Sequence, residues 1–119
     1  MDFDAEDALD QLERLNEAAL DGLAFGVVGL AADGTTTRYN RTEATLAGLD
    51  PELVLGRSFF VEVAPCMNNF MVAQRMLDEP EIDEVVPYVL TVRMKPTPVR
   101  LRLLKRAGGD AMYLLIDRT

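Results

Sequence analysis

The chain contains no histidine, no tryptophan and a single cysteine, Cys66. Without histidine there is no Ser-His or Cys-His nucleophile pair and no imidazole ligand, so hydrolase and zinc chemistry of the usual kinds are excluded. One cysteine forbids an intrachain disulfide, in keeping with a reducing compartment. Carboxylates alone remain as metal ligands, and no calcium-loop spacing of acids is present. Glycine-rich phosphate cradles are also missing. These absences argue against an enzyme and against a metal centre.

Positive charge is scarce. Twelve basic residues face 20 acidic ones, for a net charge of −8 and a pI near 4.4. A surface that negative repels phosphate backbones and anionic lipids, so neither nucleic acid nor a membrane is expected as a partner. The basic residues that do gather late, from Arg93 through Arg100 and Arg102 to Arg106, read as a solvated strand face. No apolar run approaches the roughly 18 residues that a membrane span needs. The acidic start, Met1-Asp2-Phe3-Asp4-Ala5-Glu6, does not resemble a secretory signal, and a cytoplasmic location is expected.

What is present suffices for one folded domain. The 119 residues are 49% apolar, and a chain of this length buries about two thirds of its unfolded surface. Leu9, Leu12, Leu15 and Ala19 predict an amphipathic helix over residues 5–20, acidic outside and short of bulky anchors, so its docking should be marginal. Residues 24–30 read as an apolar strand, Ala32-Asp33-Gly34 as a hairpin turn, and Thr35 to Tyr39 as a second strand. Short helical patterns follow to Leu55, opened by Asn40 with Glu43 in capping-box spacing and again by Asp50-Pro51. A further helix is predicted from Asn68 to Leu77, with Phe70, Ala73 and Leu77 on one face. Three strands then fall at 84–94, 99–104 and 111–116. Within 99–104, Val99, Leu101 and Leu103 should face inward, and Arg100 and Arg102 outward. The fold class is α+β: an antiparallel sheet with helices on one face, enclosing a small apolar pocket that the loop ending at Cys66 shuts.

On its own, Cys66 is either a small buried hydrophobe or a reactive point. Tyr39 likewise reads as a packing residue and Glu43 as the cap partner of Asn40. Their spacing of four also brings a phenol and a carboxyl together at a strand-to-helix junction. Met94 reads equally as core filler.

Taken together, these residues carry a resemblance. Leu20-Asp21-Gly22-Leu23-Ala24-Phe25-Gly26, Tyr39-Asn40 with Glu43, Phe59-Phe60, Val63-Ala64-Pro65-Cys66, and Met94 with Pro96-Thr97 are similar, in order and spacing, to the photoactive yellow protein family. The likeness runs from about Leu20 to the end of the chain and is weaker in the N-terminal helix.

The resemblance implies a PAS-like fold with a five-stranded antiparallel sheet, an N-terminal helical cap over residues 1–22 and a photosensory domain over 23–119. It implies blue-light reception by p-coumaric acid in thioester linkage to Cys66, with Tyr39 and Glu43 hydrogen-bonded to the phenolate and Met94 near the ring. Light would then isomerise the chromophore, move a proton from Glu43 and loosen the cap, signalling to a downstream protein that the sequence does not name. Val28, Ala47, Leu49, Phe59, Phe60, Tyr88, Leu90 and Val92 are the expected pocket walls. A buried phenolate costs several kcal/mol unless hydrogen-bonded, and two donors at roughly 1.5–3 kcal/mol each could hold it in a pocket without a basic residue. A helix opening at Asn68-Asn69 would favour thiolate character at Cys66.

Three positions depart from the family's pattern. Ala47 stands where a supporting threonine is common, Leu49 where an arginine often covers the ring entrance, and Val92 where an aromatic residue is usual. The resemblance therefore also leaves room for a PAS module that senses a ligand or binds a partner without photochemistry.

Overall fold

The computed structural model describes every residue except Arg93 and Thr119, and Val92 by its backbone alone. In chain order it holds α1 (Ala8–Arg14), α2 (Glu17–Asp21), β1 (Gly26–Ala31), β2 (Thr36–Tyr39), α3 (Arg41–Ala47), α4 (Pro51–Val54), α5 (Ala73–Asp78), β3 (Ile82–Val92), β4 (Lys95–Lys105) and β5 (Ala111–Asp117). A π-helical turn, Phe59–Val63, and a 3₁₀ turn, Pro65–Met67, lie between α4 and α5.

The five strands form one antiparallel sheet in the order β2-β1-β5-β4-β3. Both faces are covered. Val28, Leu30, Leu101, Leu103, Met112, Leu114 and Ile116 point to a core shared with α3, α4, α5 and the π turn. Val27, Leu104, Tyr113 and Leu115 point the other way, into a second core closed by Phe3, Ala8, Leu12, Leu20 and Phe25. A central strand buried on both faces has no need to alternate, and β5 is accordingly apolar along most of its length.

The N-terminal segment differs from expectation in two respects. It is two helices rather than one, because Asn16 takes an extended conformation and caps α2 by accepting from Ala19 N–H at 2.8 Å. Its docking is also firm: Ala8, Leu12 and Leu20 are buried. Arg102, expected to face solvent, is only 5% exposed. It donates to the Phe3 and Ala5 carbonyls at 2.8 and 2.7 Å and pairs with Asp83. Arg38 donates to the carbonyls of Leu12 and Leu15. Arg102 and Arg38 thus hold an acidic cap on a sheet face, while Lys95, Arg100 and Arg106 stay exposed as expected, Arg100 and Arg106 pairing with the cap's Asp4, Asp10 and Glu13 from the surface. Arg93, named with them, lies outside the described residues.

The helix predicted from Asn68 to Leu77 starts later than its pattern suggested. The Asn69 side chain accepts from Met71 and Val72 N–H, forming a turn before α5, and Val72, Ala73 and Met76 are buried while Phe70 is exposed. No α-helix therefore opens directly behind Cys66. Pro96 and Pro98 lie inside β4 instead of ending it. They pair only with β3, beyond Arg100, where the β5 ladder stops, so their missing N–H groups cost no bond to a central neighbour.

Candidate functional site

Strand order decides which side chains meet. Gly26 of β1 pairs with Ile116 of β5, and Val28 pairs with Tyr39 of β2, so the end of β5 comes up beside the start of α3. α3 is fixed there by Asn40, which is 1% exposed. Its side-chain oxygen accepts from Val27 N–H at 2.9 Å and Glu43 N–H at 3.1 Å, and its amide donates to the carbonyls of Leu20 and Phe25 at 2.9 and 3.0 Å. The capping box is therefore half formed. Asn40 caps as predicted, but its own N–H goes to the Val27 carbonyl and the Glu43 side chain turns elsewhere.

That carboxylate meets Arg118, just beyond β5. The guanidinium donates to both Glu43 oxygens, at 2.5 and 2.9 Å, with both side chains largely buried. Gly26 makes the approach possible, since a Cβ there would stand 2.1 Å from Glu43 Oε1. Burial pushes the Glu43 carboxyl above its ordinary range, and the Arg118 bonds pull against that shift. Tyr39, 6% exposed, has its phenol pushed up first by burial and then by the neighbouring Glu43 carboxylate, with Arg118 opposing. Among the described residues its hydroxyl has no hydrogen-bond partner.

Tyr39, Glu43 and Arg118 line a cavity of about 300 Å³, within the range of small-ligand sites. Its other walls are Ala47, Leu49, Phe59, Val63, Ala64, Pro65, Cys66, Met67, Leu90 and Thr91. Cys66 is exposed, so the thiol stands at the rim while the phenol and carboxyl lie at the floor. Its turn is pinned by Tyr88, whose hydroxyl donates to the Cys66 carbonyl at 2.6 Å. Cys66 itself, being exposed, is not part of the core.

The expected pocket residues divide. Ala47, Leu49, Phe59 and Leu90 are on the cavity wall. Val28 and Phe60 are in the core, Phe60 edge-on to Phe59 with ring centroids 5.2 Å apart. Tyr88 acts on the Cys66 backbone rather than as a wall. Met94 is 94% exposed on the β3–β4 turn and is not among the cavity residues; the long hairpin carries it past the end of the core. The Val92 side chain lies outside the described residues. The expectation of a pocket without a basic residue is corrected by Arg118. No local pattern around Arg118 signals its role, because the contact depends on β5 lying beside β1.

No helix among the described residues is long and apolar enough to cross a membrane, and no group of three or more potential metal ligands is found among them.

No family model matches the chain. Comparison with known proteins nevertheless gives a consistent result. The photoactive yellow protein of Halochromatium salexigens is 30% identical over 119 residues, covering 98% of this chain and 95% of that protein. The crystal structure of the photoactive yellow protein domain from the sensor histidine kinase Ppr of Rhodospirillum centenum superposes with a TM-score of 0.83 at 32% identity, covering 90% of this chain and 96% of that one. A PAS domain of an HTR-like protein from Haloarcula marismortui gives a TM-score of 0.62 at 25% identity, covering 96% and 98%. With its five-stranded sheet, its helices and these relatives, the chain belongs to the photoactive yellow protein family of PAS-fold photoreceptors, whose members are signalling domains and not enzymes.

Proposed function

We propose that this chain is a blue-light receptor carrying p-coumaric acid as a thioester on Cys66, with the acyl end held at the rim and the phenol end by Tyr39 and Glu43. The observation that carries the reading is that one cavity of about 300 Å³ has an exposed thiol at its rim and a buried phenol and carboxyl at its floor. The residues fit the group: Tyr39 lines the cavity and its hydroxyl has no hydrogen-bond partner among the described residues, so its O–H is free to donate to a ligand there.

Cys66 Sγ would bond to the carbonyl carbon of an activated coumaroyl donor, whose bond to its leaving group breaks as the thiol proton departs with that group. When bound, the group supplies visible absorption and a double bond that isomerises in light. Tyr39, with its phenol pushed up, keeps its proton and donates a hydrogen bond. Glu43 acts as a second donor when protonated, the form that burial favours. A change of charge at Glu43 would act on α3, and Asn40, which caps α3, also holds the Leu20 carbonyl of the cap. That single-residue link supports loosening of residues 1–22 as the output, read by a signalling protein in the cytoplasm.

The test is reconstitution with activated p-coumaric acid. A coumaroyl mass gain and visible absorbance are expected, both lost in Cys66→Ala. No mass gain, or an adduct that survives Cys66→Ala, overturns the reading. Faster amide exchange of residues 1–20 in light than in dark is expected of the output step, and equal exchange counts against it. A second reading, a PAS module that senses a ligand or partner without photochemistry, is favoured by Arg118 on Glu43. It predicts a colourless protein after the same reconstitution.

A further inference from the structure

We propose that Arg118 is a specificity-determining residue of this cavity, the cation that selects a ligand whose buried end is an anion. The inference rests on the functional reading above and deepens it. Among the described residues Arg118 is the only basic side chain on the cavity wall. The other titratable groups around the floor are Tyr39 of β2 and Glu43 of α3, with Cys66 of the 3₁₀ turn at the rim. From β3 come Leu90 and Thr91, which carry no charge.

A guanidinium that is largely buried and cannot lose its proton must have an anion beside it. Without a ligand, Glu43 is that anion, held by two parallel hydrogen bonds. A ligand phenolate brings a second negative charge to a floor that holds one positive charge. Two anions against one cation leave one negative charge uncompensated, so one of the two acids keeps its proton. Arg118 therefore fixes the charge of the occupied floor at one matched pair, and so permits an ionised ligand beside a protonated Glu43. Replace Arg118 with a neutral residue, and any anion on the floor stands without a counter-charge. The phenol should then hold its proton.

The probe is methyl 4-hydroxycinnamate, whose only ionisable group is its phenol, titrated into Cys66→Ala protein over a pH series with absorbance reporting the bound phenolate. In the Cys66→Ala background the probe should ionise at lower pH when bound than in water. Adding Arg118→Gln should raise that midpoint by about one pH unit or more and weaken phenolate binding roughly ten-fold, the size of one charge-assisted hydrogen bond. Arg118→Lys should lie between. The 4-methoxy analogue, which cannot ionise, should bind both proteins alike. Glu43→Gln with Arg118→Gln removes both partners, leaves no stranded buried charge, and should show the raised midpoint if Arg118→Gln alone fails to fold. An unchanged midpoint in the Arg118 variants, or no probe binding to the Cys66→Ala protein, overturns the proposal. Failure of the functional reading shows separately, as no coumaroyl mass gain on the native chain.

Discussion

The Tyr88 hydroxyl donates to the backbone carbonyl of Cys66 at 2.6 Å and accepts from the Asn69 amide at 2.6 Å. Asn69 also reaches the Cys66 carbonyl, at 3.3 Å. A long edge strand thereby holds the turn that carries the thiol. Tyr88→Phe should cost about 1 kcal/mol in urea unfolding and speed amide exchange in the Pro65–Met67 turn, since one of the two bonds to that carbonyl survives. Asn69→Ala should loosen the turn as well, because the turn before α5 goes with it.

Gly26 has no room for a side chain. Gly26→Ala should displace Glu43, break its contact with Arg118 and cost about 1–3 kcal/mol, read from the denaturant midpoint. In a Glu43→Ala background the obstruction is gone, and most of that cost should vanish. A cost that is the same in both backgrounds would mean that Gly26 is needed for a reason other than Glu43.

Tyr39 makes stability depend on alkaline pH. Its phenol is pushed up in the folded chain, so the folded state keeps a proton that the unfolded state releases at the ordinary tyrosine value near 10.0. The folded state then binds more protons, and stability falls as pH rises through and above that value. Unfolding midpoints of the ligand-free protein across an alkaline series should show this slope. Tyr39→Phe should remove its Tyr39 share, and near-ultraviolet titration should find one phenol fewer resisting ionisation.

Leu12 is 0% exposed between α1 and the sheet. Leu12→Ala should cost about 2–5 kcal/mol, as for other buried leucines. Retention of full stability would show that the cap contributes little to the fold in solution.

Much of the fold could be read from the chain because it rests on local chemistry. The alternation of Val99, Leu101 and Leu103, the Asp33-Gly34 turn and the Asn40 and Asp50 caps each involve neighbours in sequence, and each element formed where its residues pointed. Boundaries failed where a side chain competed with the backbone, at Asn16 and Asn69. Tyr39, Glu43 and Cys66 could be named from a family likeness, and they line one cavity.

Composition by itself determined what this protein lacks: without histidine and with one cysteine, no imidazole and no disulfide can take part in its chemistry. Only the tertiary structure decided which of the groups present face each other. Arg118 reaches Glu43 across 75 residues of chain because β5 pairs with β1 and Gly26 leaves the space between them. Met94 stays outside because a hairpin of two 11-residue strands carries it past the core. Periodicity specifies which face of an element is apolar; which partner lies across a sheet is a long-range choice, set by the packing of the whole chain.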